Sequence, residues 1–247
     1  MMISDMNKLS VARWGFKLAL TGAVLLVVAV IGHRLGVMDF RIALFGLVGG
    51  AALGMLAAFL GVIGMIVARK EKVSGKSSAW VGLIFGLLVA SPVLLTINAA
   101  SNVPPIHDIT TDLKNPPEFV AMLVVRSTSD NPLDRKNPTD LATSQQAAYP
   151  GLVPVLINQD VNQVFDQVHA LVTARGWEIV AASAQQGRIE ATATTPIMGF
   201  KDDVVIRVRD ESDGTMVDMR SVSRVGKSDL GANAKRIEAF MADLRGL

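Results

Sequence analysis

Apolar and polar positions divide unevenly along these 247 residues. The runs Leu18 to Ile31, Ile42 to Val67 and Ala79 to Ile97 are almost wholly apolar, whereas everything after Asn98 is mixed and polar. A bilayer's hydrocarbon core takes roughly 20 mainly apolar residues per helix. With their weakly polar flanks the runs predict three membrane-spanning helices, over about 15–34, 42–67 and 79–98, with no Asp, Glu, Lys or Arg in mid-span. Small residues recur at four-residue spacing: Gly46, Gly50, Gly54, then Ala57, Gly61 and Gly64; Gly82, Gly86 and Ala90; Gly15, Ala19 and Ala23. This interval lets helix backbones approach closely. It predicts a tight bundle within one chain, with self-association or a partner surface as the alternative. Pro92 predicts a kink or loosened last turns in the third helix.

Beyond the spans the pattern predicts a connector and a domain. Residues 99–150 are Pro-rich, with Pro104, Pro105, Pro116, Pro117, Pro132, Pro138 and Pro150, and read as an extended path over a surface or a tether, with Phe119 to Val125 the one stretch there that could bury apolar groups. In 151–247 the periods become regular. Asp160 with Gln163 reads as a capping box, Val161, Val164, Phe165, Val168, Leu171 and Val172 form one helical stripe, and Gly176 supplies the stop. Period-two segments follow at Trp177 to Ser183, Arg188 to Thr194, Val204 to Arg209 and Thr215 to Val222. Ser228 or Asp229 then caps a helix with Leu230, Ala234, Ile237, Met241 and Leu244 on one face.

The predicted fold is therefore a membrane-anchored α+β chain. Three transmembrane helices (1–98) precede a two-layer sandwich of a four-stranded antiparallel sheet and two helices, in the order α-β-β-β-β-α. Ile189, Ala191, Val204, Ile206, Val208, Val217 and Met219 should face the helices. Arg188, Glu190, Arg207, Arg209, Asp218 and Arg220 should form a solvated face with cross-strand ion pairs. The same face could instead bind an anionic ligand, a lipid headgroup or a partner.

Charge sets the expected orientation. Lys8, Arg13 and Lys17 precede the first span, and Arg69, Lys70, Lys72 and Lys76 separate the second from the third. The link 33–41 holds only Arg34 and Arg41, and 98–105 holds no basic residue. By the positive-inside rule the N-terminus is cytoplasmic and the C-terminal domain periplasmic, at a bacterial inner membrane. No small-x-small cleavage site precedes His33-Arg34, so the first span reads as an uncleaved anchor. A formal net charge of +2 with interleaved signs does not suggest nucleic acid as a partner. The absence of cysteine excludes thiol catalysis, disulfides and zinc-thiolate sites.

No motif specifies a reaction. Gly75-Lys76-Ser77 and Gly226-Lys227-Ser228 resemble the end of a phosphate-binding loop, but Lys70 and Ser221 stand where its first glycine belongs. His107, Asp108 and Asp112 form the most site-like cluster, in reach of metal or acid-base chemistry, against the alternative of local turn hydrogen bonds. Asp202 and Asp203 should point to opposite faces of their strand and pair with an arginine such as Arg224. Arg224 and Lys227 lie at a helix N-terminus that attracts anions, unless Asp229 caps it and pairs with Arg224. Arg207, Arg220 and Asn233 complete the candidate binding residues. No catalytic residue, resident metal or cofactor is assigned.

The blocks Pro104 to Asp112, Gln145 to Pro150, Gly199 to Val208 and Ser221 to Ile237 resemble the domain-of-unknown-function family fourteen-ninety-nine. The likeness covers about 104–245, leaving the three-span segment outside. It implies an envelope-located or plastid-type domain with no established activity. The expected function is a binding or accessory module recognising an envelope component or a membrane protein complex, with the lipid bilayer as its other partner. A lipid or small-ligand carrier and a metal-assisted hydrolase are the alternatives.

Overall fold

A computed structural model of the chain describes residues 2–70, 76–101, 103–135 and 138–246. Lys72, Gly75 and Asn102, which enter the orientation and motif arguments, lie outside the described residues. The chain divides into two compact units, Met1–Ser101 and Asn102–Leu247.

The first unit consists of α1 (Met2–Arg34), α2 (Phe40–Lys70) and α3 (Lys76–Ala100). Their stretches Trp14–Arg34, Phe40–Arg69 and Ser77–Ala100 comprise 21, 30 and 24 residues and are long and apolar enough to cross a membrane. At about 1.5 Å of rise per residue even the shortest spans roughly 30 Å. The small residues sit where helices meet. A Cβ added to Gly22 would press on the carbonyl oxygen of Gly50, and one on Gly86 on that of Gly54. Phe45, Phe59, Leu88 and Leu95 project outward and are exposed. The Leu88 carbonyl, which the ring of Pro92 deprives of its helical donor, accepts from Ser91 Oγ at 3.2 Å.

The second unit contains β1 (Asp108–Thr110), α4 (Met122–Val125), α5 (Pro138–Ala148), β2 (Val155–Ile157), α6 (Val161–Ala174), β3 (Glu178–Ser183), β4 (Arg188–Thr194), β5 (Lys201–Glu211), β6 (Gly214–Ser223) and α7 (Ala232–Arg245). All strand pairs are antiparallel, in the order β1-β6-β5-β4-β3, with β2 also on β6. The sheet thus has six strands where the period-two pattern predicts four. The two additional strands are three residues each, too short to show a period. They lie end to end on β6, β1 opposite Arg220 to Val222 and β2 opposite Thr215 to Val217, closing an edge that would otherwise be open.

The predicted inward stripe holds. Ile189, Ala191, Val204, Ile206, Val208, Val217 and Met219 are buried in one cluster with Val164, Phe165, Val168 and Val172 of α6 and Ile237, Phe240, Met241 and Leu244 of α7. Asp160 caps α6 by accepting from Asn162 N at 2.9 Å, and Gly176 ends it at φ +66, a conformation open to glycine. Gln163, the predicted box partner, is exposed.

The opposite face is only partly solvated: Arg188, Arg207 and Arg209 are half-buried there, and Arg207 makes the expected cross-strand ion pair with Asp218. Glu190, Thr192, Asp203, Asp218 and Arg220 on it are buried. The segment from Asp112 to Arg135 supplies the cover, with Phe119 and Met122 packed on Val205 and Val222. Of the two readings of the connector, the path over a surface is the one realised, and Asp112 to Arg135 form a third layer of the unit. A sheet face that alternates in sign can be buried because the covering chain brings arginines and backbone N–H groups to meet it.

Candidate binding site

Strand alternation places Glu190, Thr192, Asp203, Arg207, Asp218 and Arg220 on the face beneath the cover, and each charge there meets a partner. The Glu190 carboxylate accepts three backbone hydrogen bonds, from Val120 N at 2.9 Å, Ala121 N at 3.0 Å and Met122 N at 2.8 Å. Asp203 accepts from Arg126 Nε at 2.6 Å, from Arg224 Nε and Nη2, each at 2.9 Å, and from Thr192 Oγ1 at 2.8 Å. Arg126 also donates to Val222 O at 2.7 Å, so this one side chain ties the cover to two strands. Arg207 and Asp218 stand opposite each other in the β5–β6 register, with Nε 3.0 Å from Oδ1. Burial raises the Asp218 carboxyl above its ordinary value, against the pull of the Arg207 hydrogen bond and of the Arg207 and Arg209 charges.

The His107, Asp108 and Asp112 cluster does not converge. His107 Nδ1 faces Lys227 O at 3.4 Å. Asp108 is buried and grips Arg220 through both oxygens, at 3.0 and 2.8 Å, while Arg135 Nη1 donates to it at 3.0 Å. Asp112 closes a turn by accepting from Lys114 N and Asn115 N, and meets Arg207 Nη2 at 3.4 Å. Among the described residues no three of His, Asp and Glu gather as metal ligands. Asp202 and Asp203 point to opposite faces, Asp202 to Arg236 of α7 and Asp203 to Arg126 and Arg224.

At the start of α7, Asp229 accepts from Gly231 N and Asn233 N, each at 2.8 Å, so the free N–H groups already hold a carboxylate. Arg224 turns to Asp203 rather than to Asp229. Asn233 is buried and links Ser221 Oγ, Ser223 Oγ and His107 O, joining the helix to β6 and to the chain entering β1. Lys227 is exposed.

Burial raises the Asp229 carboxyl above its ordinary 3.8, opposed by those two N–H bonds. A raised folded-state value contributes stability that is complete below the unfolded-state value and is lost as pH rises through the folded one. Asp229→Asn accepts the same N–H bonds without titrating. Its stability relative to the unsubstituted chain should rise as pH increases from about 3.8, read from Tm at each pH. A difference that stays constant with pH would contradict the assigned shift.

Concavities open among the described residues of the second unit. One, of about 360 Å³, lies beside α7 and is lined by Tyr149, Leu152, Val153, Ala234 and Met241, with Lys235 and Arg245 among its polar residues. The Tyr149 hydroxyl is raised by burial and secondarily by the Asp229 charge. Another, of about 340 Å³, lies in the cover and is lined by Phe119, Leu123, Leu133, Arg135 and Arg220, with Glu118 and Asp134. The Arg135 side chain is only 8% exposed, and its Nε and Nη2 are buried without a hydrogen-bond partner. Burial lowers its pKa, with Asp108 acting to raise it and Arg220 to lower it further.

Sequence reading missed Arg126 and Arg135. Both lie in aperiodic Pro-rich sequence, where no repeat points to a distant partner. The matched region begins at β1 and runs to the end of α7, and so includes the covering segment. No curated protein matches the sequence. The family described as Protein of unknown function (DUF1499) matches residues 108–244, more than half of the chain. This chain belongs to that family, with three apolar helices preceding the family domain.

Proposed function

We propose that the protein is a membrane-tethered binding module. Its three apolar helices cross a bacterial inner membrane from a cytoplasmic N-terminus and hold the α+β unit in the periplasm, where it recognises a protein or envelope component. The reading is carried by how the buried acids are used: Asp108, Glu190 and Asp203 hold the cover to the sheet through Arg135, backbone N–H groups and Arg126, and Asp218 pairs with Arg207 across two strands. That use gives a stable surface for display and leaves none of these carboxylates free for proton transfer. Basic residues ahead of the first apolar run and between the second and third support the orientation, and an odd number of crossings separates the two ends.

Alkaline phosphatase fused after Leu247 should be active in whole cells. A C-terminal green fluorescent protein that glows in place of it would overturn the orientation. Crosslinking in the same cells should capture an envelope protein on the α+β unit. The apolar groove beside α7 favours a second reading, a carrier of lipid or small ligands, with cargo between Tyr149, Leu152 and Met241.

A further inference from the structure

The cover contains a feature that its structural role leaves over. Buried N–H donors left without acceptors are costly, and the unpartnered pair on Arg135, Nε and Nη2, is the side of a guanidinium that engages two oxygens of one oxyanion at once. Arg135 is held by a single bond, Nη1 to Asp108 at 3.0 Å, which fixes one end of the guanidinium and leaves the fork uncommitted. The cavity that Arg135 lines has room for a headgroup, and Arg220 forms part of its wall, stacked over Phe119 at 5.3 Å.

The lip of this cavity is apolar and outward-facing. Leu123 lines it and is 62% exposed, and its neighbours Val120, Val124 and Val125 are exposed as well. Exposed aliphatic side chains at and beside the rim of a pocket that holds an uncommitted guanidinium fork match an amphiphile, with an anion inside and an acyl chain across the rim. Glu118 in the wall works against a bare phosphate dianion and matches a headgroup that carries its own ammonium.

We propose that this cavity binds the headgroup of a zwitterionic phospholipid of the phosphoethanolamine class, the Arg135 fork taking the phosphate and Leu123 with its neighbours taking the start of the acyl chains. The fork is shielded from solvent in the unliganded structure, so binding turns the guanidinium toward the cavity. The inference rests on the membrane-tethered reading for its supply of lipid, but it addresses a different property. A headgroup site can be present or absent whichever side of the membrane the unit occupies.

The test uses the full chain in a nonionic detergent. Native mass spectrometry counts bound phosphatidylethanolamine, and hydrogen exchange follows residues 116–135. The tightest phosphatidylethanolamine should bind roughly tenfold more weakly to Arg135→Lys, which keeps the charge and loses the fork. Leu123→Asp, an exposed substitution that keeps the fold, should weaken it similarly, and protection of 116–135 on adding lipid should vanish in both. Equal lipid binding by the unsubstituted chain and by folded Arg135→Lys, with folding verified by circular dichroism, would overturn the proposal. So would unchanged binding by Leu123→Asp. Inorganic phosphate alone giving the same protection would show a free-anion site in its place, and phosphatidylglycerol binding as tightly would refute the ammonium assignment.

Discussion

Asp203→Ala should destabilise the α+β unit by about 3–5 kcal/mol, the range for removing one partner from a buried ion pair. The Asp203 side chain is fully buried, and two guanidiniums converge on it. Arg126 is 5% exposed and has two carbonyls left to donate to, those of Asn131 and Val222. Arg224 is left with Thr192 Oγ1 and the sulfur of Met122. The cost therefore comes less from the attraction lost than from two positive charges held out of water without a counter-charge. Chemical denaturation followed by far-ultraviolet circular dichroism measures it. If removing Arg126 and Arg224 as well as Asp203, with apolar replacements of similar volume, recovers much of the loss, the charges act as a set. A loss below about 1 kcal/mol would place Asp203 among ordinary surface pairs and contradict its burial.

Glu190→Ala should produce the second large effect, of a different kind. Its carboxylate caps Val120, Ala121 and Met122, the residues that start α4. Removing it leaves three N–H groups beneath Phe119 and Met122 without acceptors, at about 1–3 kcal/mol for each that stays buried. The cheaper response is for the cover to open there and let water in. The expected result is a stability loss of roughly 3 kcal/mol, with fast hydrogen exchange at Val120 to Met122 while β5 and β6 remain protected. Glu190→Gln retains one acceptor oxygen and should fall between the two. Uniform loss of protection across sheet and cover would show that the cover cannot open separately.

Both effects concern the layer that sequence reading left open between a path over a surface and a tether, and the reason is one of range. Helices α6 and α7, strands β3 to β6 and the stripe facing the helices were legible because each buries one side. Burial on one side writes a period of 3.6 or 2 into the local residues. The two adjacent carboxylates Asp202 and Asp203 were assigned to opposite faces on the same ground. The cap at Asp229 was readable because Asp supplies an acceptor to N–H groups only two and four residues ahead.

What the sequence determined by itself was local: three helices of membrane length, the core elements of a family domain, and which side of each looks inward. Tertiary structure alone decided that a Pro-rich, aperiodic segment would cover the charged face of the sheet, that two three-residue strands would close its edge, and that Arg126 and Arg135 would matter. Those outcomes depend on partners far apart in the chain, as with Asp108 and Arg220, 112 residues from one another. A contact at that separation leaves no repeat in either segment. It exists only once the β6 register has carried Arg220 beneath the loop that Asp108 begins.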